Sequence, residues 1–163
     1  MIMKSRQQGT TIVEFAAIGV VLMIVLFGVI EIARALFVWN TIGEVTRRGA
    51  RVATVCPVGD SSIAEVAIFG TPGGSSASPV LSNLSTSNID LAYRDVDGVE
   101  TANFPDIAYV QVEIVNYSHV MLIPFIPLAA RTLQMPAFST TLPVESLGYV
   151  PETGDRRCFA PGI

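Results

Sequence analysis

The sequence predicts an α+β fold in which one long N-terminal helix, transmembrane over its first half, packs against a small antiparallel β-sheet. Three observations predict it. Residues 15–30 contain no charged side chain. A helical pattern continues from there to about residue 53, and alternating segments bounded by Gly, Pro, Asn and Asp follow between residues 88 and 145. A length of 163 residues leaves room for one membrane anchor and one modest domain. The boundaries expected are 1–9 for a short leader, 10–54 for the helix and 55–163 for an extracytoplasmic domain.

The anchor rests on length and flanking charge. If Glu14 and Glu31 are admitted, the apolar run extends over residues 12–32, close to the roughly 20 residues a helix needs to cross a bilayer. Lys4 and Arg6 precede it with no acid nearby, which predicts a cytoplasmic N-terminus and export of the rest. Hydrophobic residues make up 50% of the chain and mean hydropathy is +0.53. Beyond the first third, Gly, Pro, Ser and Thr are abundant, so the hydrophobicity is concentrated in the anchor.

Charge is divided the same way. Residues 1–54 hold six basic and three acidic side chains, a balance of +3, and the remainder carries −7 of the total −4. An acidic outer segment without a basic cluster argues against a nucleic-acid partner.

Past the anchor, Ile32, Ala35, Leu36, Trp39, Ile42, Gly43, Thr46, Ala50 and Ala53 fall on one helical face. Arg34, Thr41, Glu44, Arg48 and Arg51 fall on the other, with Glu44 and Arg48 spaced i, i+4 for an ion pair. A continuous helix over 12–53 would be about 60 Å long. Cys56-Pro57 ends it, because a residue before proline is pushed out of helical geometry. The small residues Ala35, Gly43, Ala50 and Ala53 predict a close-fitting surface, the protein's own sheet. Phe37 and Trp39 are alternatively interfacial anchors.

Glu14 does not suit a simple anchor. A carboxylate at the bilayer centre costs about 2.5 to 3.5 kcal/mol on insertion scales, although near the edge it can reach headgroup water. A cut after Gly9 changes its surroundings. It leaves the apolar run attached and places a new α-amino group on Thr10, one helical turn from Glu14. In an assembly, Glu14 of one subunit could instead meet the amine of a neighbour and set the axial register. An ordinary signal-peptidase site at Ala33-Arg34-Ala35 is the competing possibility, but Glu31 and the unbroken helical pattern oppose it.

Gly9-Thr10-Thr11-Ile12-Val13-Glu14-Phe15 followed by the apolar run resembles the class III signal of type IV prepilins, and Glu14-Phe15 resembles the Flp/Tad branch. Phe27-Gly28-Val29-Ile30-Glu31 and Thr46-Arg47-Arg48-Gly49-Ala50-Arg51 resemble segments of TadE-like minor pilins, or pseudopilins. Thr46-Arg47 stands where Ala-Ala is commoner. The resemblance is dense over residues 7–55 and diffuse beyond. It implies a pilin-like fold, cleavage after Gly9 by a prepilin peptidase, and Glu14 and Phe15 as assembly residues. It also implies a role in assembly or priming of a Tad pilus at the bacterial inner membrane. The expected partners are other pilin subunits, Tad assembly proteins and the peptidase. A membrane-anchored exported binding module that never polymerises is the alternative.

In the outer domain, Ser62-Ile63-Ala64-Glu65 predicts a capping box opening a short helix that Gly70 and Pro72 close. Strands are expected over 88–95 and 107–117, the latter with Ala108, Val110, Val112 and Ile114 toward the helix, and a last one within 137–145. Residues 119–128 are apolar, but Pro124 and Pro127 exclude a central strand or second span, which leaves an extended connection covered as a core loop or a hydrophobic surface for a neighbouring subunit or the membrane. Cys56 and Cys158 suit an oxidising compartment and a disulfide clipping the tail to the helix exit. His119 is the one histidine, with no second ligand at a metal-binding spacing. No enzyme activity, cofactor or metal is expected.

Overall fold

The first proline is Pro57, and the backbone before it forms one uninterrupted helix. The computed structural model describes residues 8–74, 78, 80–81, 83–122 and 131–159. Helix α1 (Gln8–Ala53) has 46 residues, a length of about 70 Å at 1.5 Å per residue. It ends as Thr54 N donates to Ala50 O and Cys56 N to Val52 O, after which Pro57 has no amide to continue the ladder.

Helix α2 (Ser61–Phe69) packs on the second half of α1. Its cap is Asp60, whose Oδ1 accepts from Ser62 N at 2.9 Å. The capping box expected at Ser62 therefore gives way to the charged side chain one position before the helix, which complements the helix N-terminus better than a hydroxyl. Glu65 reaches forward instead and accepts from Gly73 N at 2.7 Å. Gly70 closes α2 in the left-handed region, at φ 80°.

The sheet consists of β1 (Ile89–Arg94), β2 (Tyr109–Ile114) and β5 (Phe138–Pro143), antiparallel in the order β1-β2-β5. Central β2 sets Val112 opposite Leu91 on one side and Thr140 on the other. Val110, Val112 and Ile114 are buried, as the alternation requires of a strand lying on a helix. The connection after β1 turns at Asp95, whose carboxylate accepts from Asp97 N and Val99 N.

A second hairpin, β3 (Ser118–Val120) with β4 (Thr132–Gln134), replaces part of the expected extended connection. Its strands have three residues each, so β3 stops short of the prolines that exclude a longer strand. Residues 123–130, with Pro124 and Pro127, lie outside the described residues.

The core forms two clusters along α1. Val38, Ile42 and Val45 meet Ile68, Leu84, Ile114, Tyr117 and Met135 nearer the membrane end. Ala50 and Ala53 meet Ile63, Tyr93, Val110, Val112 and Leu147 further out. The buried stripe is thus Val38, Ile42, Val45, Thr46, Gly49, Ala50 and Ala53, whereas Ile32, Leu36 and Trp39 of the expected stripe are exposed. Trp39 instead meets Phe138 edge-on, with ring centroids 4.7 Å apart. Buried Thr46 is satisfied by Gly43 O and by Thr140 Oγ1, which donates to it at 2.9 Å. Glu44 lies 3.9 Å from Arg47 rather than pairing with Arg48.

Cys56 and Cys158 form a disulfide across 102 residues, with Cα atoms 4.3 Å apart. Closing a loop of that length stabilises the folded state by about 4 to 5 kcal/mol in the chain-entropy account.

Gly49 is the point of closest approach. A Cβ there would lie 3.1 Å from Ala67 Cβ and 3.1 Å from Val112 Cγ1, whereas one at Gly43 would meet nothing within 4 Å. Gly49→Val should therefore destabilise the detergent-solubilised protein by about 1 to 3 kcal/mol. Gly43→Ala should stabilise it by about 1 kcal/mol through helix propensity. Denaturant unfolding of both variants checks the contrast, and equal shifts would deny the tight contact.

Candidate anchoring and assembly site

Among the described residues, none of the outer domain packs against the first half of α1. Phe15 is 78% exposed, and the large apolar side chains from Ile12 to Ile30 remain exposed turn after turn. The helix is long and apolar enough to cross a membrane. Shallow grooves run along it, one lined by Ala16, Gly19, Val20, Met23 and Ile24 and another by Ala17, Ile18, Val21, Leu22 and Val25. They are the spaces between side-chain ridges of a bare helix, the surface into which another helix or lipid chains pack.

Gly9 and Thr10 lie within the first turn of α1, with Glu14 one turn on and Phe15 beside it, all four exposed. Helical periodicity alone brings these four together. Cys56 and Cys158 belong to the opposite end of the protein, about 65 Å away along the helix axis.

Between these ends sits an arrangement that spacing along the chain did not reveal. Glu31, the first charge after the bare segment, is 7% exposed. Arg34 Nη1 donates to both of its oxygens, at 2.9 and 3.1 Å. Leu122 N donates to Oε2 at 3.1 Å, and His119 Nε2 lies 3.3 Å from Oε1. An ionised carboxylate only accepts, so His119 Nε2 carries the hydrogen in that contact. Both oxygens are thereby satisfied in a place where an unpaired carboxylate would be costly.

A cleft of about 160 Å³ adjoins the cluster, lined in part by Arg34, Val38, Tyr117 and His119. Burial pushes the Tyr117 phenol up from its ordinary value against the opposing pull of Arg34, so it stays neutral at physiological pH. Glu31 and His119 are 88 residues apart. The one available signal was a lone histidine opening an apolar segment and a lone carboxylate closing another.

Residues 9–51 match the family model described as TadE-like protein. The N-terminal helix is TadE-like. No curated protein and no solved structure matches the chain. The TadE-like segment contains Glu14, Phe15, Glu31 and Gly49 and stops two residues short of the end of α1, so the sheet and the hairpin lie beyond it. The match thus covers 43 of the 163 residues, all of them in α1, the helix that is long and apolar enough to cross a membrane.

Because Glu31 and His119 share a contact, their losses should not add. Glu31→Ala and His119→Ala should each destabilise the outer domain, with a coupling of about 1 kcal/mol in a double-mutant cycle. Hydrogen exchange at the Leu122 amide should quicken in Glu31→Ala. Additive losses with unchanged exchange would show that the cluster holds nothing.

Proposed function

We propose that this chain is a minor pilin, or pseudopilin, that contributes to assembly or priming of a Tad-type pilus after prepilin peptidase cuts the Gly9–Thr10 bond. The observation that carries the reading is the change along α1 within its TadE-like segment. The helix is bare through Ile30 and built into the outer domain from Val38 onward. A single element thus offers an apolar rod for membrane storage and helix bundling and holds the acidic domain outside.

In this reading the N-terminus faces the cytoplasm and the outer domain is exported across the inner membrane, where Cys56 and Cys158 can oxidise. Hydrolysis of the peptide bond leaves a carboxylate on Gly9 and an amine on Thr10. The amine and the positive end of the helix dipole face Glu14 one turn away. In a bundle, the amine of one subunit and Glu14 of another neutralise each other. A mismatched axial stagger leaves both charges unpaired in apolar surroundings, so pairing selects one register.

Intact mass of the membrane-extracted protein from a producing strain should lack residues 1–9. A Cβ at Gly9 would meet nothing within 4 Å, so Gly9→Leu should retain the leader without altering the unfolding midpoint. Glu14→Leu should still be cut, yet cells carrying it should show fewer pili by electron microscopy. Retention of residues 1–9 in the unaltered protein would favour the non-polymerising anchored module. Undiminished piliation with Glu14→Leu would refute the assembly role.

A further inference from the structure

Glu31 fixes a height. The hydrocarbon core of a bilayer is about 30 Å thick, which an untilted helix crosses in about 20 residues. The run bounded by Glu14 and Glu31 therefore places Glu31 at the outer edge of the core. Leu122 donates its amide to that same carboxylate at 3.1 Å, so the end of β3 stands at the membrane surface too.

The side chains there are apolar and uncovered: Leu122 is 66% exposed and Val120 44%. On α1 at the same level, Ile32 and Leu36 are also exposed. The backbone is suited to an apolar phase. Met121 N donates to Arg131 O at 2.8 Å, extending the β3–β4 ladder, and the Leu122 amide is taken by Glu31. Unpaired amides, the usual bar to placing non-helical chain at the edge of a bilayer, are therefore satisfied at Met121 and Leu122.

We infer that the β3–β4 hairpin is a second membrane contact, with Val120 and Leu122 seated in the acyl–headgroup boundary beside α1. The occupant of this surface is lipid rather than another protein, because Glu31 holds it at the edge of the span whether or not a second subunit is present. Two contacts, one spanning and one interfacial, restrict rotation of the outer domain about the α1 axis. The inference rests on α1 being the membrane anchor and is independent of polymerisation.

Single-cysteine labelling tests it in the full chain, since the native cysteines are paired and a fluorophore attaches to the added thiol. Leu122→Cys keeps the backbone amide that Glu31 holds. Ile24→Cys reports the span, and Val96→Cys reports the exposed turn after β1, near the opposite end of the outer domain. In vesicles of phosphatidylcholine and phosphatidylglycerol, an environment-sensitive label at 122 should be blue-shifted relative to 96. Shallow doxyl-labelled lipid should quench it, as it should a label at 32 introduced by Ile32→Cys. A label at 122 that behaves like 96 while 24 is protected from water would overturn the inference alone. So would a blue shift at 122 that grows with protein density and ignores doxyl lipid, since that marks a second copy of the chain. If 24 behaves like 96, the anchoring reading fails, and this inference fails with it.

Discussion

The uninterrupted backbone of α1 is the constraint on which the rest of the structure depends. An α-helix satisfies its own amides and carbonyls, so the same backbone is stable in hydrocarbon, at an interface and under a sheet. Only the side chains decide which surroundings each turn accepts. From Ile12 to Ile30 they are, Glu14 apart, apolar all round and uncovered; from Val38 to Ala53 they present one covered stripe. A break near residue 31 would uncouple these halves, and with no proline before Pro57 the chain carries none.

The outer domain is fastened to this rod at both ends. Near the membrane, Glu31 gathers Arg34 from its own helix and His119 and Leu122 from the hairpin. At the far end, the disulfide holds the tail against the residues that close the helix. Between them, Gly49 lets α2 and β2 approach the helix backbone together, which brings the two halves of the core onto one line. The buried carboxylate is stable because it is fully bonded, and its bonds fix the height of the hairpin on the helix.

Much of this was legible because it follows from local pattern. The absence of proline and the charge-free run give α1, strand signals between turns give β1 and β5, and alternation gives β2, whose expected range of 107–117 overruns Tyr109–Ile114 by two and three residues. The covered sector of α1 was legible in its outer part, where Ile42, Thr46, Ala50 and Ala53 are buried as expected. Nearer the membrane it was not: Ile32, Leu36 and Trp39 are exposed, and Val38, Val45 and Gly49 take covered places instead. Apolar residues surround that part of the helix on every side, so periodicity has no polar face there from which to fix the direction of the stripe. Asp60 displaced Ser62 as the α2 cap for an equally local reason, charge over hydroxyl two positions apart. The contact between Glu31 and His119 had no local pattern at all, since tertiary structure creates it.

The two carboxylates that bound the apolar run have opposite surroundings, and the difference separates what the subunit does for itself from what an assembly must do. Glu31 lies where its own chain returns: an arginine one turn on, a histidine and an amide from the hairpin satisfy both oxygens. Glu14 lies where the chain does not return. No described residue of the outer domain reaches the first turns of α1, about 25 Å further along the axis. A group that compensates Glu14 must come from its own helix terminus, from the headgroup region or from another molecule. The terminus carries a full positive charge only once the Gly9–Thr10 bond is broken. Under the proposed function, cleavage there changes an exposed carboxylate into half of an ion pair whose other half is present on every subunit. Such a pair can close within one helix in the membrane or between staggered helices in a bundle.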